Sequence, residues 1–352
     1  MTKTKSTKTK LGISIGDPNG IGIEVILRTL ADNRLMELFT PIIFGGKSII
    51  LSQTKTFQFQ DLKFNFIESV EDAKNGQINV VTVCDESFEQ NFGNESGEAG
   101  KISFESLSAA VKSLKSNEIN ALVTAPINKN AIQSADFEFP GHTEYLQQQD
   151  EASDSLMLML SDSARIGVVT GHVPLAEVGK QLTDELILAK LTILNKSLKE
   201  DFSIRKPKIA VMGLNPHAGD NGLFGKEEQE LIIPAINQAK SIGILAFGPY
   251  AADGFFGSNA YAKFDGILAM YHDQGLIPAK SFSFGSGVNF TAGLSFIRTS
   301  PDHGTAFEIS GQGVADEGSF RTALYTAIEL CKNRELNAEL AEGALVVNKS
   351  RN

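Results

Sequence analysis

Short apolar runs rich in Val, Ile, Leu and Met recur along the chain, each closing on a turn that carries Gly, Pro or Asn. Runs of this kind predict strands buried on both faces, because a half-exposed strand would alternate apolar and polar positions. KLGISIGDPNGIGIEVILRTL reads as strand, Gly-rich turn and helix, and PIIFGGKSII repeats the strand and turn, the order of βαβ units. GKISFESLSAAVKSLKSN has apolar positions at three- and four-residue spacing and predicts a helix; NALVTAPINKNAI then predicts a strand ending at Pro126. ELILAKLTILNKSLKEDF (helix), RKPKIAVMGLNP (strand), FGKEEQELIIPAINQAKSIG (helix) and the run before His272 carry the alternation past residue 280. The expected class is α/β with a parallel sheet. At 352 residues, two domains around a cleft are the default, with one large α/β domain as the competitor. No repeat or low-complexity linker marks a boundary.

The remaining bulk properties mainly exclude. An apolar fraction of 42% and a charged fraction of 21% are those of a globular protein, and no apolar run has the length of a bilayer span. The first ten residues, MTKTKSTKTK, carry four Lys without a following apolar stretch, so they read as a flexible basic tail rather than a secretory signal. A net charge of −10 and a pI near 5.1 give no electrostatic footprint for nucleic acid, and an anionic small substrate would have to be met by local cations. Cys84 and Cys331 form no metal-type spacing and fit a reducing cytoplasm.

Three of the five histidines follow such apolar runs: His172 in RIGVVTGHVPLAEV, His217 in KIAVMGLNPHAGDNGLFG and His272 in FDGILAMYHDQGLIPAK. A single histidine after a strand is usually a satisfied loop residue; three in matching contexts point to one divalent cation, provided the strands share a sheet and bring the imidazoles together. Their separations of 45 (172 to 217) and 55 (217 to 272) match no compact zinc signature, so the reading depends wholly on the fold. In FPGHTEYL, His142 and Thr143 follow a Pro-Gly turn and suit an anion if a helix starts there; an ordinary helix cap at Thr143 is the alternative. Lys280, Asn289 and Arg298 lie in a stretch otherwise rich in Gly, Ser and Phe, where they serve either as phosphate or carboxylate partners or as surface charge. The turn GDPNGIG fails the dinucleotide fingerprint, with Val25 where a third small residue is required, and FGGKS lacks the first Gly of a phosphate loop, having Pro41 there. Asp17 and Asn19 read equally as turn residues and as site residues.

Taken in order, GDPNGIG, VTAPINK, FPGHTEYL, GHVPL, GLNPHAGDNGLFG, GPYAADGFF, YHDQGLIPAK and HGTAFEISGQG resemble the 4-hydroxythreonine-4-phosphate dehydrogenase family of vitamin B6 synthesis, from about residue 11 to 330. The resemblance implies a fold like that of isocitrate and isopropylmalate dehydrogenases: two α/β/α domains around a cleft, in a homodimer whose active site is shared between subunits. It places residues 11–130 and about 300–352 in the first domain and about 131–299 in the second. His172, His217 and His272 then become ligands of a divalent cation (Zn, Mg or Co), and His142, Thr143, Lys280, Asn289 and Arg298 become substrate contacts. HGTAFEISGQG also resembles the adenosine-holding loop of decarboxylating β-hydroxyacid dehydrogenases, which makes His303, Gly304 and Thr305 contacts to NAD or NADP. The implied reaction is oxidation of 4-phosphooxy-L-threonine to a β-keto acid that loses carbon dioxide, with Lys280 or Asp273 as general base. The rivals are a sister enzyme acting on erythronate or threonate 4-phosphate, a metal-dependent phosphohydrolase or lyase using the same imidazoles, and a binding protein without activity. Two motifs depart from the family pattern: Asn19 and Ile23 stand where Ala and Pro are frequent, and Ala251 and Gly254 where Pro and Thr are frequent.

Overall fold

The computed structural model describes residues 8–84, 88–133, 137, 139, 141–152 and 154–343. The first seven residues of the basic tail lie outside them, and Lys10 already opens the first strand. Twelve strands form one sheet: β1 (Lys10–Ser14), β2 (Thr40–Gly45), β3 (Phe64–Ile67), β4 (Ile78–Thr82), β5 (Ala121–Thr124), β6 (Leu156–Leu160), β7 (Arg165–Thr170), β8 (Lys208–Met212), β9 (Leu245–Tyr250), β10 (Gly266–Tyr271), β11 (Val288–Ala292) and β12 (Ile297–Pro301). Their order is β3-β4-β2-β1-β5-β12-β11-β6-β7-β10-β8-β9.

The expected βα alternation accounts for both ends of this sheet. From β3 to β12 every neighbouring pair is parallel, as is every pair from β7 to β9. The middle departs from the expected all-parallel sheet: β12–β11, β11–β6 and β6–β7 are antiparallel. Three reversals set the two parallel wings running in opposite senses. The short β6–β7 and β11–β12 connections, residues 161–164 and 293–296, explain two of the reversals, since four-residue links can join antiparallel neighbours whereas a parallel crossover needs about a dozen or more.

Helices cover the sheet where the sequence periodicity places them. The helix Gly97–Lys115 begins at Ser96, whose hydroxyl accepts from the Ala99 amide, and buries Ile102, Leu107, Val111 and Leu114 on one side. Gly100 allows it to press against the next segment, for a Cβ there would lie 1.9 Å from the Ala131 carbonyl oxygen. The helix Asp184–Glu200 is capped by Thr183, which accepts from the Leu186 amide, and buries Ile187, Leu191, Leu194 and Leu198. The C-terminal helix Gly318–Glu342 packs on β12 and β5. One apolar cluster extends from Leu11 and Ile13 in the first wing through Leu158 and Phe290 to Ile209 and Leu268 in the second, so the wings share a core.

Candidate functional site

The central strands and the loops around them enclose a cavity of about 380 Å3. β6 contributes Met157 and Met159, β11 contributes Asn289 and β12 contributes Arg298; the segments after β5, β7, β10 and β12 contribute His142, His172, His272 and His303. Lys280, Thr143 and Gly304 line it as well. A larger surface groove of about 740 Å3, bordered by Leu114, Phe296, Cys331 and Arg334, holds none of these groups.

Arg298 fixes one side of the cavity. It is 3% exposed, and its Nε and Nη2 donate to the Thr124 hydroxyl at 3.1 and 2.7 Å, with Nη1 3.3 Å from the Thr291 hydroxyl. Burial lowers its pKa to about 10, against the opposing pull of Glu144, so the guanidinium remains charged at neutral pH. A buried cation held by hydroxyls alone is incompletely compensated, a condition that favours an anionic ligand.

Next to it the helix His142–Gln149 begins at the predicted place. Its cap is Gly141, in extended backbone, rather than Thr143, which occupies the second helical position. The alternative of an ordinary Thr143 cap is thereby removed. Burial first, then the charges of Arg298 and Lys129, push the His142 pKa well below its usual value, leaving a neutral ring. His142 Nε2, Asn289 Oδ1 and His303 Nε2 are buried with no hydrogen-bond partner among the described residues. Three unpartnered polar atoms around one cavity are costly unless a ligand or water completes them.

The three strands expected to present the histidines are indeed adjacent and parallel, in the order β7-β10-β8. His172 and His272 come together, their ring centroids 5.5 Å apart. His217 does not join them. Residues 217–221 all have positive φ, four of them non-glycine, and this left-handed run carries His217 to a neighbouring cavity lined by Phe256, Tyr271, Asp273 and Ile277. Backbone strain of that order, roughly 1–3 kcal/mol per residue, persists where surrounding structure enforces it. Among the described residues no three His, Cys, Asp or Glu side chains are arranged to hold a metal ion. The His172–His272 pair alone offers two borderline nitrogen donors, a set that fits a divalent cation completed by further ligands.

The two residues expected as general base separate. Asp273 accepts from or pairs with His272, its Oδ1 lying 2.7 Å from Nδ1, and it borders the His217 cavity. Lys280 stays in the main cavity, its Nζ 3.3 Å from Asp302 Oδ1. Burial raises the Asp302 carboxyl, with Lys280 opposing it. In the expected cofactor loop, His303 and Gly304 line the cavity, whereas the Thr305 carbonyl accepts from the Ile21 amide at 3.0 Å. A Cβ on Gly20 would come within 2.9 Å of that oxygen, so the GDPNGIG turn is built to dock against this loop. Asn19 serves the turn: its Oδ1 accepts from the Asn91 amide and its Nδ2 donates to the Asn94 carbonyl.

Sequence reasoning missed Thr124, Glu144 and Asp302. Glu144 lies two residues after His142 in GHTEY, and Asp302 directly precedes His303, but only the fold shows Glu144 Oε1 4.0 Å from His172 Nδ1.

The sequence and the fold have known counterparts. Residues 37–327 match the family "Pyridoxal phosphate biosynthetic protein PdxA". The chain belongs to the PdxA family. It is similar to the 4-hydroxythreonine-4-phosphate dehydrogenase of Bacteroides thetaiotaomicron, 46% identical over 94% of this chain and 91% of the relative. It is also 38% identical to a putative D-threonate 4-phosphate dehydrogenase of Oceanobacillus iheyensis, over 94% of this chain and all (100%) of the relative. Among solved structures, the 4-hydroxythreonine-4-phosphate dehydrogenase of Burkholderia phymatum superposes with a TM-score of 0.77 at 35% identity, covering 92% of this chain and 99% of that one. As a PdxA family member the protein is an oxidoreductase of the dehydrogenase class, with the α/β fold its motifs imply.

Proposed function

We propose that the protein oxidises 4-phosphooxy-L-threonine with NAD or NADP to 2-amino-3-oxo-4-phosphooxybutanoate, which decarboxylates to 3-amino-2-oxopropyl phosphate on the route to pyridoxal phosphate. The buried Arg298 beside three unpartnered polar atoms carries this reading, because it supplies what a phosphorylated, polar substrate of that size requires. Arg298, Thr143 and the neutral His142 hold the phosphate, and Asn289 orients the carbon chain. This turns binding at the remote phosphate into position at the reacting carbon. A nicotinamide at the His303–Thr305 loop would accept the hydride. A divalent cation (Zn, Mg or Co) at His172 and His272 would polarise the hydroxyl being oxidised. The proton leaves through Lys280, with Asp302 as its neighbour, since Asp273 is engaged by His272.

The third imidazole comes, in this reading, from a second copy. The cavity beside His217 measures about 610 Å3 and is bordered by Ile277, 65% exposed, while Leu223, which directly follows the segment that carries His217, is 72% exposed. Such a patch is the surface a homodimer would cover, and burying it would bring each His217 toward the partner's His172–His272 pair. The protein would work in the cytoplasm; no helix among the described residues is long and apolar enough to cross a membrane.

A second reading, oxidation of threonate or erythronate 4-phosphate, rests on the Oceanobacillus relative named for threonate. The substrates differ at C2, amino against hydroxyl. Absorbance of reduced nicotinamide, followed with each substrate and each cofactor in the presence and absence of a chelator, separates the readings. A chelator-sensitive rise with the amino substrate is the expected result. A rise only with the sugar acid moves the enzyme to the second reading, and product without nicotinamide reduction would indicate a phosphohydrolase or lyase.

A further inference from the structure

A neutral imidazole has one N–H and one lone pair, and the group hydrogen-bonded to one nitrogen decides which nitrogen is free to bind a cation. At the paired histidines both Nδ1 atoms have a carboxylate for a neighbour. His272 Nδ1 lies 2.7 Å from Asp273 Oδ1, and His172 Nδ1 lies 4.0 Å from Glu144 Oε1, a distance that a small side-chain rotation closes to a hydrogen bond. The two carboxylates sit in the first turns of different helices, His272–Ser283 and His142–Gln149, where the positive helix end favours them. Neighbouring bonds hold the His272 helix start in place: Gln274 Oε1 accepts from the Met270 amide at 2.7 Å, and its Nε2 donates to the Gly213 carbonyl at 2.6 Å.

We propose that Glu144 and Asp273 are positioning residues, each accepting a hydrogen bond from the Nδ1–H of its histidine so that the Nε2 lone pairs of His172 and His272 are left for one cation. The inference rests on the metal reading given above, and it gives Asp273 a task other than that of general base. With Nδ1 of each ring engaged by its carboxylate, Nε2 is the nitrogen left for a cation, and the two ring centroids lie 5.5 Å apart. The carboxylates themselves stay off the metal.

The test uses the full-length protein and zinc as probe. Long-range nitrogen–proton spectra of the metal-free protein at about pH 8 report the tautomer of each ring, and both should carry the proton on Nδ1. Glu144→Ala and Asp273→Ala should each shift the affected ring toward a tautomer mixture and weaken zinc binding about ten- to a hundred-fold in competition with a chromophoric chelator. Glu144→Gln and Asp273→Asn, which keep an accepting oxygen, should restore the tautomer. A proton on Nε2 of either ring in the unaltered protein overturns the proposal, whether or not the variants fold. So do alanine variants with unchanged tautomer and affinity, provided His172→Ala loses zinc. If His172→Ala binds zinc as tightly as the parent, the metal reading itself fails.

Discussion

Arg298 on β12 reaches past its strand neighbour to donate twice to the single hydroxyl of Thr124 at the end of β5. One oxygen therefore takes two N–H groups of a buried cation whose Nη1 also reaches the Thr291 hydroxyl at 3.3 Å, and no carboxylate bonds to it among the described residues. Arg298→Lys keeps the charge and loses the planar fork, so KM for the phosphorylated substrate should rise at least about tenfold with a smaller effect on kcat. Thr124→Val removes the anchor and leaves buried N–H groups unpaired, which should cost about 1–3 kcal/mol in denaturant unfolding. Unchanged KM in Arg298→Lys would remove Arg298 from the anion site.

Asp17 gives the pH dependence of stability a definite sign. Burial, opposed by the Asn19 amide and reinforced by Glu95, pushes its pKa up to about 6 from 3.8, and its Oδ2 has no partner among the described residues. Between those values the folded state holds a proton that the unfolded chain has released. Stability should therefore fall as pH rises from about 4 to about 6 and then level off, a loss of about 3 kcal/mol. Asp17→Asn should be more stable than the parent at about pH 8 and lose that advantage near pH 4, read by thermal melts at both values. An equal difference at both pH values would refute the assignment.

Gly100→Ala tests the contact between the helix Gly97–Lys115 and the segment that leads toward His142. The added methyl would lie 1.9 Å from the Ala131 carbonyl oxygen, so backbone must move. The expected cost is about 1–3 kcal/mol, seen as a lower melting temperature, with reduced activity because the cavity residue Lys129 moves with that segment. A melting temperature equal to the parent's would show that the segment yields freely.

Cys84 and Cys331 are free, and burial pushes both thiols up to about 12. The buried Cys84 should not react at an appreciable rate with a chromogenic disulfide reagent at about pH 8 until denaturant is added, whereas Cys331, half-buried at the rim of the surface groove, should label slowly in the native protein. Rapid labelling of the native protein would contradict this.

The wings of the sheet were legible because their strands, such as IAVM before His217 and GILAM before His272, are uninterrupted apolar runs between turns. The antiparallel centre was not. VNFTA and IRTSP carry Asn289 and Arg298, whose polar side chains serve the cavity and break the apolar pattern that marks a buried strand. The histidines could be singled out by their shared context, but which of them meet depends on backbone geometry: His272 opens a helix directly after β10, whereas His217 follows five positions after β8 in a left-handed loop. The Asn, Asp and Gly content of LNPHAGDNG favours such a loop, but its direction is a property of the fold. Glu144 and Thr124 belong to strong motifs and yet gave no sign of their partners, because the pairings join residues 28 (144 to 172) and 174 positions apart.

Complementation between variants tests whether one active site is assembled from two chains. His217→Ala and His272→Ala should each be inactive alone, and co-refolding them in equal amounts should restore about a quarter of the parent's activity. Half of the dimers formed would be mixed, each with one intact site. His172→Ala with His272→Ala should restore nothing, because those two histidines serve the same site from the same chain. Recovery in the second mixture, or none in the first, would contradict the shared site.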